Sequence, residues 1–315
     1  MLTLPEEDEK NLPQIFCIRG CDGRPVLRIG LLATVFFEQP WTRAVRDAVA
    51  VAAEDYLQEF REHLRWSKQS KTGRLYPIDS GRVPSPSEWL PQHKESESWS
   101  LGFHGGELAT DTSEFQVSAF GPNSIKRGVG FFQVYLPLLW FSEHRGTFPG
   151  FVLKICERIK PLSGYGGVGV LEALDLGTSD RFQPAVRELA ERFPGLEIED
   201  RIGHCTHLTD GIKGVDWLTI LGDRWIEAAG GIDYLRIRLD DNFTFYPYDS
   251  GLMIQAGHKP QIGDVQANRW PEHYVTLAKL LKKIQIAKHY AFHLGGPGRM
   301  DMEASMAWLF RFDGK

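Results

Sequence analysis

The stretches Trp99-Ser-Leu-Gly-Phe103, Phe115-Gln-Val-Ser-Ala-Phe120 and Val129-Gly-Phe-Phe-Gln-Val-Tyr135 follow one another with no helical pattern between them. Each is aromatic or β-branched and of strand length, and Gly105-Gly106 and Gly121-Pro122 punctuate the connections. Three strands in a row without intervening helices cannot run parallel with tight connections, so the sheet they build is mainly antiparallel. An α+β fold is expected.

Working outward, Leu27 to Phe37 (LRIGLLATVFF) is a further strand, ended by Gln39-Pro40. Trp41 to Trp66 reads as a long helix, because Val45, Ala48, Val49, Ala52, Ala53, Tyr56, Leu57, Phe60 and Leu64 recur at three- and four-residue steps. Residues 67–98 carry Pro77, Pro84, Pro86 and Pro91 and read as an irregular surface excursion. Beyond Tyr135 come a helix over Gly150 to Lys160, the stretch Gly164 to Leu174, and a helix near Pro184 to Phe193.

The C-terminal part repeats this order in shorter form. Trp217 to Leu221 begins it, and Gly222 to Ala229 is a short helix stopped by Gly230-Gly231. Tyr234 to Leu239, Phe243 to Tyr248 and Leu252 to Gln255 read as three strands, and Pro271 opens a helix to Ile284. The expected organisation is a tail at 1–20, a first α+β half at 21–200 and a shorter half at 201–315. The halves would be two related units, each a mainly antiparallel sheet packed with helices, born of a divergent duplication.

Of the 315 residues 42% are apolar and 24% charged, enough to bury a large core, so long disorder is excluded. A formal net charge of −5 argues against a nucleic-acid binder, which needs a basic footprint, and fits a basic protein partner. Four cysteines are too few for a disulfide scaffold, and Cys17 and Cys21 lack a second pair at zinc-site spacing. The N-terminus shows no secretory pattern, and the longest apolar stretch, around Phe131 to Phe141, is too short to span a bilayer. A soluble, cytoplasmic protein without membrane contact is expected.

Candidate chemistry is sparse. Gly164-Tyr-Gly166-Gly-Val-Gly169 has the spacing of a dinucleotide loop, but a helix precedes it where a strand is needed. A helix-to-strand turn using positive φ angles is the better reading. His204-Cys205-Thr206-His207 offers two or three ligands for a metal-dependent hydrolase, against a loop or edge strand with ordinary histidines. Glu107, Asp111 and Glu114 are carboxylates without a catalytic signature, and no nucleophile elbow, phosphate loop or H-E-x-x-H motif occurs. No enzyme activity, metal or cofactor is expected.

Aromatic and acidic residues alternate over Asp240, Asp241, Phe243, Phe245, Tyr246, Tyr248 and Asp249. This suits either an interface with a basic protein or a hairpin with a buried face and a solvated acidic turn. Glu95, Glu97 and Trp99 offer the same combination of charge and anchor. Asp240, Asp241, Tyr246, Tyr248, Asp249, Glu95, Glu97 and Trp99 are therefore the candidate partner-binding residues.

Val215-Asp-Trp-Leu-Thr-Ile-Leu-Gly-Asp223, Ala229-Gly230-Gly231 and Ile254-Gln-Ala-Gly-His-Lys-Pro260-Gln-Ile-Gly263-Asp264 resemble the type VI secretion immunity family (TsiV-like). Pro271-Glu-His-Tyr274 and Trp308-Leu-Phe-Arg-Phe312 continue the likeness, which spans about Trp99 to Phe312. The resemblance implies a cytoplasmic antidote to a type VI antibacterial effector, a DNase of the restriction-endonuclease-like class such as a VRR-NUC relative. It would act by stoichiometric binding that covers the toxin's active site or DNA-binding face.

Overall fold

The computed structural model describes residues 17–20, 23–68, 73–78, 85–126, 128–138, 140 and 147–315. Cys21 and part of the 67–98 stretch lie outside them. The strands are β1 (Ile18–Arg19), β2 (Pro25–Phe37), β3 (Trp66–Lys68), β4 (Leu75–Pro77), β5 (Trp99–His104), β6 (Gln116–Gly121), β7 (Gly130–Leu136), β8 (Ser163–Glu172), β9 (Leu218–Gly222), β10 (Phe243–Tyr248) and β11 (Gly251–Ala256). The helices are α1 (Arg43–Phe60), α2 (Pro86–Trp89), α3 (Thr147–Ile159), α4 (Leu176–Arg181), α5 (Gln183–Arg192), α6 (Arg201–His207), α7 (Asp223–Ala229), α8 (Ile232–Arg238), α9 (Glu272–Leu281) and α10 (Met302–Leu309).

The eleven strands of the described residues join one sheet in the order β10-β11-β9-β8-β2-β7-β6-β5-β3-β4, with β1 against β2. Every pairing between these strands is antiparallel, as the β5-β6-β7 meander requires. The expected α+β class therefore holds, but not as two sheets. β8, from the first half, pairs with β2 on one side and β9, from the second half, on the other. Each half pairs its first strand with the last strand of its meander, β2 with β7 and β9 with β11. A duplication does not follow from that alone.

The central strands are covered on both faces. Every residue of β8 is buried, and β2 is buried without alternation from Ile29 onward, the pattern of a strand between two apolar layers. On one face α1 packs beside α3 through Tyr56, Phe60 and Phe151, with ring centroids 4.8–6.2 Å apart. Tyr56 satisfies its hydroxyl by donating to the Tyr135 carbonyl at 2.9 Å. The apolar spacing of α1 was legible; its end was not, since a 3-10 turn follows Phe60 and Trp66 opens β3.

Three local expectations are corrected. Gly164, Gly166, Gly167 and Gly169 lie inside β8 rather than in a turn, and none has a positive φ. They serve close approach: a Cβ on Gly164 would stand 2.7 Å from the Thr34 carbonyl, and one on Gly167 2.5 Å from Asp216 Oδ1. Tyr234 to Arg238 is not a strand but most of α8; Leu235 and the C-cap residue Leu239, four positions on, are buried, and Ile237 is exposed. The 67–98 excursion is not wholly irregular, since it holds β3 from Ser67, β4 and α2.

Candidate functional site

The sheet register places a polar row across five strands. Ser118 faces Gln133, Gln133 faces Thr34, Thr34 faces Tyr165 and Tyr165 faces Thr219, and all five are buried. The chain beyond α5 crosses this row because Glu197 lies along β8. The Val170 amide donates to the Glu197 carbonyl at 2.8 Å, and the Glu197 amide donates to the Val168 carbonyl at 2.9 Å. Gly169 makes this possible; a Cβ there would meet the Glu197 carbonyl at 2.9 Å.

Buried charge then caps the row. Thr34 Oγ1 and Tyr165 OH donate to the two oxygens of Glu199 at 3.2 and 3.1 Å, and Gln133 Nε2 donates to Thr34 Oγ1 at 2.9 Å. Arg201 donates to Gln133 Oε1 at 2.8 Å. Lys213 pairs with Glu197 and donates to Tyr165 OH and the Ile198 carbonyl at 3.1 and 2.7 Å, while Arg311 faces the other Glu197 oxygen at 3.6 Å. Burial raises the Glu199 carboxyl to about 7 against the opposing pull of Lys213. Thr34, Gln133, Tyr165, Glu199 and Lys213 are hydrogen-bonded to one another and shielded from water, which is the chemistry of a scaffold specifying one arrangement.

His204 belongs to the same interior, on α6 rather than in a loop or edge strand, and Asp200 caps that helix through the Gly203 amide at 3.2 Å. The Tyr290 carbonyl can only accept, so His289 Nδ1 carries its proton at 2.8 Å and His289 Nε2 is an acceptor. His204 Nδ1 then donates to His289 Nε2 at 2.9 Å, and His204 Nε2 accepts from the Asp200 amide at 3.2 Å. Both nitrogens of His204 are engaged, and burial first, then Lys213, pushes its pKa well below the usual value. In this arrangement it has no lone pair left for a metal, and Cys205 is buried with its thiol pushed up by desolvation. Among the described residues no three His, Cys, Asp or Glu side chains are grouped to hold a metal ion.

The candidate interface residues are not brought together. Glu95 and Glu97 precede β5 and Asp240 and Asp241 precede β10, seven strands away, or roughly 30 Å across the sheet. Trp99 is 1% exposed; its indole donates to the Pro40 carbonyl at 2.8 Å and its ring stacks on Phe37, so it is a core residue and not a surface anchor. Asp240 and Asp241 are exposed at the start of the edge strand β10, and Asp240 accepts from the Asn242 amide at 3.0 Å. Asp249 is at the opposite end of that strand, 3.4 Å from Lys160. Tyr246 is half-buried and donates to Gln255 at 3.0 Å, and Tyr248 is half-buried with its hydroxyl pKa raised by desolvation. The segment is thus a hairpin with acids at both ends of its outer strand.

A second exposed region was not recognised in the sequence. From the 3-10 turn Phe292–Leu294 toward α10, residues 293–298 contain five left-handed positions, His293, Leu294, Gly295, Gly296 and Gly298. The run Gly295-Gly296-Pro297-Gly298 was the available signal. A groove of about 600 Å³ between α1 and α3 is lined by Asp55, Glu59, Lys154, Glu157 and Arg158, and its Asp55 and Arg158 pair with each other at 3.3 Å.

A wide antiparallel sheet whose central strands are covered on both faces, with a buried charge cluster inside, defines an α+β protein. Residues 48–312 match the TsiV family, described as type VI immunity for VRR-NUC, and the chain belongs to that family. Among solved structures it is similar to the Pseudomonas aeruginosa T6SS protein PA0821, at 23% identity and a TM-score of 0.86. That likeness covers 98% of this chain and 90% of the other, and shows the fold. No curated relative matches the sequence. No helix among the described residues is long and apolar enough to cross a membrane.

Proposed function

We propose that this chain is the immunity partner of a type VI effector with a VRR-NUC nuclease domain, and that it neutralises the toxin by binding it one to one and covering its active site or DNA-binding face. The observation that carries this function is membership of the TsiV family over residues 48–312. The site chemistry is consistent with a binding role, because Glu199 and His204, both strongly shifted, are enclosed and hydrogen-bonded rather than lining an open cleft. The chain would act without catalysis, in the cytoplasm, where the DNA to be protected lies. Its net charge of −5 favours encounter with a nuclease whose DNA face must be basic. The exposed carboxylates of Asp240, Asp241 and Asp249, with Tyr246 and Tyr248 beside them, are steering residues in this proposal, and Glu95 and Glu97 are a second acidic spot. The hydrolase alternative built on His204 and His207 gains nothing from the arrangement of His204.

The test is a titration of cognate nuclease with this protein, read as DNA cleavage. Residual cleavage should fall linearly to zero at one equivalent. Undiminished cleavage at a tenfold excess would overturn the proposal, and complete protection at a small fraction of an equivalent would indicate catalysis instead.

A further inference from the structure

His293 (φ 51°) and Leu294 (φ 63°) are consecutive non-glycine residues in the left-handed region, a conformation that strains an ordinary side chain and a leucine in particular. The loop is held in it from several sides. His293 Nε2 bonds the Glu199 carbonyl at 2.6 Å, and the Phe292 amide donates to Ser305 Oγ at 2.9 Å. Arg299 grips Asp180 through two nitrogens at 2.6 and 2.9 Å, and Arg187 donates to the Arg299 carbonyl at 2.9 Å. These straps reach α4, α5 and the backbone of Glu199 beside the buried charge cluster, so the loop is tied down at both ends.

The strain does not bury Leu294. Leu294 is 96% exposed, the highest value among the large apolar residues of the described chain. Leu176, Ile202, Tyr290 and Met302 are exposed as well, so five of the eleven exposed large apolar residues lie on this loop and the elements it is tied to. Leu176 is one turn from Asp180, Ile202 three residues from Glu199, and the Tyr290 ring sits 4.7 Å from His207 on α6. Met302 follows Asp301, whose Cα faces Gly295. Asp301 and Glu303 are exposed at the rim.

We infer that the strapped loop at residues 292–299 is the apolar anchor that docks on the nuclease domain of the VRR-NUC effector, with Leu294 entering its cleft. The inference rests on the immunity function proposed above. A nuclease cleft shaped for the DNA backbone is concave and basic; the exposed apolar tip at Leu294 suits the concavity, and the exposed carboxylates Asp301 and Glu303 on one side of the loop suit the basic lining, with Lys288 on its other side and Arg299 neutralised by Asp180. Pre-set geometry lowers the ordering cost of binding, and a large apolar tip supplies the anchor that the acidic hairpin lacks, its tyrosines being half-buried.

Leu294→Asn and Leu294→Gly separate this from a structural role, because both residues accept the left-handed region. Thermal unfolding should occur at the same or higher temperature, while affinity for the effector's nuclease domain falls at least about thirtyfold, mainly through faster dissociation. Ile237→Asn, at an exposed apolar residue on α8, should leave affinity unchanged. Affinity within about threefold of the parent for both Leu294 variants, with the parent binding, overturns the assignment of this loop and leaves the immunity function standing. A lowered unfolding temperature in both variants would also overturn it, since Leu294 would then be structural. Failure of the parent protein to bind or inhibit the nuclease overturns both.

Discussion

Glu199 lies between Thr34 and Tyr165, within the field of Lys213, and its carboxyl is raised by burial to about 7. In the unfolded chain the same group ionises near its ordinary value of 4.5. Between those values the native state holds the proton that the unfolded state has released, so Glu199 favours folding in acid and that contribution is lost as pH rises through about 7. His204, His289 and His104 act oppositely. Burial lowers all three, His104 to about 4, so the unfolded state takes up protons first and stability falls as pH drops below about 6.5. Glu199→Gln removes the compensating carboxylate. Urea unfolding from pH 4.5 to 7.5 should show a steeper loss of stability on acidification in this variant than in the parent; identical slopes would refute the assignment. None of this was visible in the sequence, where Glu199 is an ordinary charged residue in Leu196-Glu-Ile-Glu-Asp200 and only the fold encloses it.

The elements that read correctly are those whose pattern is set by their own neighbours. β2, the β5-β6-β7 meander, α1 and α9 follow directly from apolar periodicity and turn residues, and only their ends shift. α8 read wrongly because Tyr234 to Leu239 alternates like a strand, while the tertiary contacts use only its four-residue spacing. β8 read as a turn because glycine signals a turn when nothing shows what approaches it. The two uses of glycine are separable by experiment. Gly169→Ala forces a methyl into Leu32 and the Glu197 carbonyl and should cost about 2 kcal/mol or more. Gly150→Ala, inside α3 with open space around it, should stabilise by about 0.5–1 kcal/mol. Denaturant midpoints for the pair are expected to move in opposite directions.

At the scale of the whole molecule the acidic balance and the shape of the sheet act together. A net charge of −5 accelerates encounter with a basic partner over distances of about a Debye length, after which local anchors decide how long the complex lasts. Asp240→Lys with Asp241→Lys should therefore slow association with the nuclease and flatten its dependence on salt while leaving dissociation nearly unchanged. Stopped-flow association between 50 and 200 mM salt checks this; equal rates and slopes would remove the hairpin from the steering surface. The seven-strand separation from Glu95 and Glu97 makes the two acidic spots independent, so their effects on rate should add.

The sequence by itself determined the α+β class, the antiparallel meander, the main helices and the family, because apolar period, turn chemistry and turn glycines are local properties of the chain. Only the tertiary structure decided that both halves share one sheet, that Trp99 is core, that His204 spends both nitrogens inside the protein, and that Leu294 stands exposed on a strapped loop. Each of these depends on which distant segment arrives at a given backbone position. Strand pairing, desolvation and the capture of Trp99, His204 Nδ1 and His293 by hydrogen bonds are set by residues far off in the sequence, and no local pattern encodes them.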